Sequence, residues 1–98
     1  MIKLTAAQQQ YLKGLAHPLS PVIIIGDKGL TEAVLKETDR ALKAHELIKI
    51  KAGSDEKETR AQWLVRICEA LDASPVQQIG KVLVIYRPAE KPVIQLPR

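Results

Sequence analysis

The segment from Val22 to Thr31 most constrains the fold of this 98-residue chain, because it joins a strand to a helix through a short glycine loop. Val22–Ile25 is a run of β-branched apolar residues, which predicts a strand that is central in its sheet or covered on both faces. The G-x-x-G loop Gly26-Asp27-Lys28-Gly29 follows, and Thr31 with Glu32 marks the start of a helix. This pattern predicts the first half of a β-α-β unit.

Hydrophobic periodicity extends the pattern along the chain. A helix over about Thr5–Ala16 begins with a capping box of Thr5 and Gln8. The second helix should span Thr31–His45, and the alternating segment Ile48–Ala52 should form a strand parallel to the first. A third helix, capped by Ser54 or Asp55, precedes strands at Val76–Ile79 and Val82–Tyr86. The apolar positions expected to face the core are Ala7, Tyr11, Leu12 and Leu15 in the first helix, Leu30, Val34, Thr38, Ala41 and His45 in the second, and Ala61, Leu64, Val65, Cys68 and Leu71 in the third.

The resulting fold class is α/β, with the order α-β-α-β-α-β-β and a single four-stranded mixed sheet. We expect residues 1–98 to form one domain, with the helices packed against one face of the sheet. The other face, which carries Lys49 and Lys51, should then be at least partly open. Residues 88–98 contain three of the six prolines and are expected to be an extended tail that docks weakly if at all.

The glycine loop is a candidate phosphate site. A helix N-terminus presents free N–H groups and a partial positive charge to whatever lies above the preceding turn. Lys28 would add a point charge, with backbone amides near Lys28, Gly29 and Leu30 as donors. A strand-to-helix turn of purely structural role is the alternative.

Five further basic residues are candidates for the same partner: Lys36, Arg40 and Lys43 form a stripe on the second helix, opposite its apolar side, and Lys49 and Lys51 point outward from the second strand. Each group has a simpler explanation. The stripe could be a solvated helix surface, and the strand lysines could protect an edge from aggregation.

Composition permits a polyanionic partner and argues against several other classes. The net charge is +4 and the pI about 9.4. No nucleophile–base pair, metal-ligand spacing or membrane-length apolar run is present, so we expect no enzyme activity, metal, cofactor, small-molecule substrate or membrane association. The single cysteine, Cys68, lies on an apolar stripe and is expected in the core, and the absence of a signal sequence indicates the cytoplasm. The aromatic residues are too few for a base-stacking platform, and Trp63 could be a packing edge, a protein contact or a stacking surface.

Several blocks resemble the YhbY family of bacterial CRM-domain proteins (chloroplast RNA splicing and ribosome maturation). The matching blocks run in the family's order along nearly the whole chain and include Tyr11–Pro18, Pro21-Val22, Ile25–Thr31, Ala41–Lys51, Ile79–Arg87 and Lys91–Pro97. Within them, the block His45-Glu46-Leu47-Ile48-Lys49 is specific to the family.

The resemblance implies a fold similar to the C-terminal domain of translation initiation factor 3. It also implies binding to rRNA in precursors of the large ribosomal subunit, as an assembly factor. We expect the protein to be a monomer. The family's RNA contact is attributed to the G-x-x-G loop and nearby basic surface, which here comprise Gly26, Asp27, Lys28, Gly29 and Thr31 with the five basic residues above. Asp27 departs from the pattern, because a basic residue is common at that loop position. The alternative function is a protein-interaction module that docks on a ribosomal protein through Trp63 and the third helix.

Overall fold

The computed structural model describes residues 2–98 and confirms the predicted order of three helices and four strands. These elements are α1 (Ala6–Ala16), β1 (Ile23–Ile25), α2 (Glu32–His45), β2 (Leu47–Ala52), α3 (Lys57–Leu71), β3 (Ser74–Ile79) and β4 (Val82–Tyr86). The single sheet has the strand order β1-β2-β4-β3, with β1 parallel to β2 and the other neighbours antiparallel. The predicted mixed sheet and the parallel pairing of the first two strands are therefore confirmed.

Strand β1 lies at the edge of the sheet, so the prediction of a central or doubly covered strand is wrong. Ile23 and Ile25 are buried, but the side chain between them, Ile24, is 67% exposed. The reason is that β4 occupies the other side of β2 and leaves β1 with one neighbour. A run of isoleucines reports β propensity, and it does not report how many faces or neighbours the strand has.

The helices lie on both faces of the sheet, which corrects the expectation that they share one face. On one face, α2 and α3 cover a cluster that includes Ile25, Ile48, Ile50 and Ile85. On the other face, α1 packs through Leu12 and Ala16 on a second cluster, whose strand residues are Leu47, Val76, Val84 and Tyr86. Alternate side chains of β2 and β4 therefore enter different clusters, since successive residues of a strand point to opposite faces.

The buried side of α1 is rotated from the predicted stripe. The Thr5–Gln8 capping box is confirmed, but Ala7, Tyr11 and Leu15 are exposed, and Gln8 and Gln9 are half-buried in their place. The side-chain amide of Gln9 donates to the carbonyl of Val76 (2.8 Å). This tertiary hydrogen bond compensates the burial of a polar group on the helix surface that faces the sheet.

Helix α3 also differs from its prediction in detail. It begins at Lys57, and Ser54 accepts a hydrogen bond from the N–H of Glu56, the N-cap residue, instead of capping the helix itself. Val65 is 55% exposed, whereas Ile67 and Cys68 are buried. The core position of Cys68 is thus confirmed, and that of Val65 is wrong.

The tail after Arg87 is firmly docked, contrary to the expectation of weak docking. Glu46 has a positive φ of 63° at the end of α2, and only 3% of its surface is exposed. Its carboxylate accepts hydrogen bonds from the backbone N–H groups of Ala89, Val93 and Ile94 at 2.8–3.0 Å. Further along, Ile94 and Leu96 pack against the cluster beneath α1.

Candidate nucleic-acid interface

The glycine loop connects the end of β1 to the start of α2 and is closed by its own hydrogen bond. The N–H of Gly29 donates to the carbonyl of Gly26 (2.9 Å), and Gly29 has a φ of 72°. The Gly29 amide is therefore occupied within the loop, whereas the amides of Lys28 and Leu30, predicted with it as phosphate donors, donate to no other described residue. Thr31 caps α2 by accepting from the N–H of Val34 (3.2 Å).

The first-turn amides of Glu32 and Ala33 remain available at this helix N-terminus. Neither donates to another described residue, since the first N–H groups of a helix have no carbonyl partner within it. Lys28 beside them is exposed and makes no ion pair with the described residues. Asp27 and Glu32 add negative charge to the same end of α2. The loop and the first turn of α2 thus combine the free amides of Lys28, Leu30, Glu32 and Ala33 and one lysine side chain with two carboxylates.

Two residues outside the loop support it from below. Gly53 follows β2, and its N–H donates to the carbonyl of Ile25 (2.9 Å); a methyl group on Gly53 would overlap that same oxygen. A methyl group on Gly29 would lie 3.5 Å from the ring of Trp63. Trp63 is half-buried against the α2–α3 core, so of its three interpretations the structure supports a packing edge. Sequence reasoning did not assign either residue to the loop, because no local pattern links positions so far apart in the chain.

The basic stripe of α2 is solvent-exposed, as predicted, and borders a shallow groove of about 490 Å³. It is partly neutralised by Asp39, which makes ion pairs with Arg87 (2.8 Å) and Lys43 (3.2 Å). The hydrogen bonds from Arg87 and Lys43 lower the pKa of Asp39, and the one from Arg87 has the larger effect. Lys36 and Arg40 have no ion-pair partner in the described part of the chain.

Arg87 and His45 lie near the stripe, and the structure shows the surroundings of both. Arg87 also donates to the carbonyl of Leu71 (2.9 Å), so it links β4 to α2 and to the end of α3. His45, predicted to face inward and to bond a local carbonyl, is exposed, and its side chain makes no hydrogen bond with another described residue. Its position at the last turn of the helix turns it away from the core.

Lys49 and Lys51 point outward on the face of the sheet that carries α1, as the strand alternation predicted. Lys49 donates to the carbonyl of His17 (3.1 Å), the residue that ends α1, and Lys51 is exposed opposite Val82 of β4. This face is opposite to α2. The ten predicted site residues therefore divide among three places: the loop with Thr31, the outer side of α2, and the α1 face of the sheet.

The structure offers little for metal binding or nucleophilic chemistry. No three His, Cys, Asp or Glu residues within 2–98 are grouped so that they could hold a metal ion. Burial raises the pKa of the Cys68 thiol to about 12, so it is protonated at neutral pH. No helix in the described range combines the length and apolarity needed to cross a membrane.

Comparison with known proteins identifies relatives that match most or all of the chain. A family model described as the CRS1/YhbY (CRM) domain matches residues 4–87. An RNA-binding protein of Haemophilus influenzae is 49% identical over 98 residues, which is 100% of this chain and 99% of the relative. A protein of Pseudomonas aeruginosa named as a probable RNA-binding protein is 43% identical over 89 residues, covering 91% and 86% of the two chains.

A solved structure agrees with these matches. The solution structure of a hypothetical Staphylococcus aureus protein, described as a candidate RNA-binding protein, superposes with a TM-score of 0.86. Its sequence identity to this chain is 35%, and the match covers 97% of this chain and 100% of the other.

Proposed function

Because the chain belongs to the CRS1/YhbY (CRM) domain family, we propose that residues 1–98 act as one RNA-binding domain whose Gly26–Gly29 loop contacts the RNA backbone. The observation that carries this proposal is the free N-terminus of α2. The amides of Glu32 and Ala33 have no partner among the described residues, and Lys28 lies exposed beside them. A phosphate at this point would receive backbone donors, a helix dipole and one lysine.

The loop is also held in place before any ligand arrives. Gly53 and Trp63 pack beneath its two ends, and the Gly26–Gly29 hydrogen bond closes it. A preorganised loop loses little conformational entropy on binding. The carboxylates of Asp27 and Glu32 oppose an anion, so the loop should contribute position more than affinity, and most of the affinity must come from basic surface elsewhere.

The biological partner we propose is rRNA in a precursor of the large ribosomal subunit, bound in the cytoplasm by a monomer without catalysis. The support for this finer assignment is the family to which the chain belongs. The alternative, a protein-docking module built on Trp63, has less support, since Trp63 packs against the core and beneath Gly29.

A charge reversal in the loop tests the proposal. We expect Lys28→Asp to weaken binding to transcribed large-subunit rRNA fragments and to flatten the dependence of log K on log salt by about 0.7 per lost phosphate contact. Binding would be followed by fluorescence anisotropy from low to moderate salt. The matched control is Lys91→Asp, which reverses an exposed lysine of the tail. A salt slope that Lys28→Asp leaves at the wild-type value contradicts a phosphate contact by the loop.

A further inference from the structure

A groove runs between α1 and the sheet on the face opposite α2 and α3. Its volume is about 470 Å³, and one wall is formed by Gln10 and Lys13 of α1 together with His17, the residue that follows the helix. The floor consists of strand side chains, among them Ile79 and Val82. Lys51 continues the same face beyond the groove, because it pairs with Val82 in the sheet register.

Charge is distributed very unequally between this face and the opposite one. Within the described chain, α1 and all four strands contain no aspartate or glutamate, whereas they contain Lys13, Lys49 and Lys51. Helix α2 balances its three basic residues with three acidic ones, Glu32, Glu37 and Asp39. The helix and strands that build the groove therefore carry lysines and no carboxylate, and the α2 stripe lies on a helix of no net charge. A polyanion is attracted to the first surface more strongly than to the second.

The groove also carries free hydrogen-bonding groups and an apolar floor. The side-chain amides of Gln10 and Gln77 make no hydrogen bond to another described residue, in contrast to those of Gln8, Gln9 and Gln78. Ile79 is 57% exposed at the end of β3, and Val82 beside it is half-buried. Amide side chains can pair with the edges of nucleobases, and apolar side chains can contact their faces, only where the bases are not already stacked in a duplex.

We infer that this groove binds a single-stranded segment of RNA. Lys13, Lys49 and Lys51 contact its phosphates, and the side chains of Ile79 and Val82 contact its bases. The inference rests on the proposed RNA-binding function and locates the main affinity on the α1 face, away from the α2 stripe. The glycine loop, Gly53 and the turn before β4 lie at the same end of the sheet as Lys51, since Ala52 donates to the carbonyl of Lys81 and Gly53 to that of Ile25. An RNA strand that leaves the groove at that end meets the glycine loop.

The test compares matched pairs of charge-removing substitutions. The groove variant is Lys13→Gln with Lys51→Gln, which leaves the Lys49–His17 hydrogen bond intact. The comparison variant is Lys36→Gln with Arg40→Gln on α2, and the control is Lys57→Gln with Arg66→Gln, two exposed basic residues of α3. The probe is a fluorescein-labelled 12-nucleotide oligouridylate, with an RNA hairpin of the same length for comparison. We expect the groove variant to bind the single strand about tenfold more weakly with a flatter salt slope, and the control to stay within about twofold of wild type.

An apolar substitution supplies an independent measurement. Ile79→Ser should weaken binding of the single strand severalfold without changing the salt slope, because contact with a base releases no counterions. Circular dichroism melting curves of all variants show whether the fold is retained. An equal or larger loss in the α2 variant, or a preference of the groove for the hairpin, overturns the inference.

The remaining outcomes separate this inference from the proposed function. If Lys28→Asp weakens RNA binding and the groove variant does not, the groove assignment is wrong and the loop assignment stands. If the groove variant keeps its RNA affinity but loses affinity for poly-L-glutamate, the groove is a site for acidic protein segments. If the wild-type protein binds neither these RNAs nor rRNA fragments, both the function and the groove assignment fail.

Discussion

Gly29 and Gly53 are both required by the candidate loop, but for different physical reasons. Gly29 has a positive φ of 72°, a backbone conformation that costs an L-residue about 1–2 kcal/mol. Gly53 has no such conformation; it is required because its Cα lies against the carbonyl of Ile25. Gly26, by contrast, faces open space, so its lack of a side chain is not needed for packing.

Gly53→Ala should destabilise the protein by about 1–3 kcal/mol, because the methyl group forces β2 away from the end of β1. Urea unfolding followed by circular dichroism measures the change. Gly26→Ala is the matched control, with an expected change within about 0.5 kcal/mol. Equal stability of the two variants would show that the approach of Gly53 to Ile25 is not a constraint.

At the scale of elements, the junction between α2 and β2 is organised by one buried carboxylate. Burial by itself raises the pKa of Glu46. The hydrogen bonds from the backbone N–H groups of Ala89, Ile94 and Val93 together outweigh this effect, so the pKa lies below the ordinary 4.5. Glu46 is therefore ionised in the folded protein. A carboxylate whose pKa is lowered by folding stabilises the protein above its ordinary pKa, and that stabilisation is lost as the pH falls through the lowered value.

Glu46→Gln should lower the free energy of unfolding by roughly 1–3 kcal/mol at pH 7, since one charged acceptor of three N–H groups is replaced by a neutral one. The difference between wild type and variant should shrink as the pH is reduced below 4.5, where Glu46 of the unfolded chain becomes protonated. Urea unfolding at several pH values measures this difference. The lowered pKa of Asp39 affects both proteins equally and therefore cancels in the difference. Glu90→Gln, an exposed tail carboxylate, is the control; a pH-independent difference for Glu46→Gln would contradict the assignment.

At the scale of the whole molecule, the sheet separates two apolar clusters that different parts of the chain cover. Helices α2 and α3 close one, whereas α1 and the tail close the other, with Ile94 and Leu96 at its margin. The same separation divides the charges, because the acidic residues of the helices lie on α2 and α3. The sheet face that is covered by α1 and the tail is not fully covered, and this leaves room for the open groove.

Ending the chain after Arg87 should reduce the free energy of unfolding by about 3 kcal/mol, because two half-buried apolar side chains are lost and Glu46 keeps a buried charge without its tail donors. The loss should be smaller when the same truncation is made in Glu46→Gln, since the two changes share one set of hydrogen bonds. Urea unfolding of the four proteins measures both effects. Strict additivity would show that Glu46 does not hold the tail.

The sequence alone determined the elements and their order. The capping box at Thr5, the cap at Thr31, the glycine loop and the alternation of β2 are local signals, and a local signal suffices because each acts within one or two turns of chain. The burial of Cys68 and the outward direction of Lys51 follow from the same periodicities.

Only the tertiary structure decided how those elements face one another. Periodicity defines the sides of an element relative to its own axis, but the neighbour that covers a side comes from distant chain, so the edge position of β1 and the separate face of α1 could not be predicted locally. For the same reason Val65 is exposed, Trp63 lies under Gly29, and Gly53 meets Ile25. The division of the basic residues between two faces of the sheet is a property of that packing.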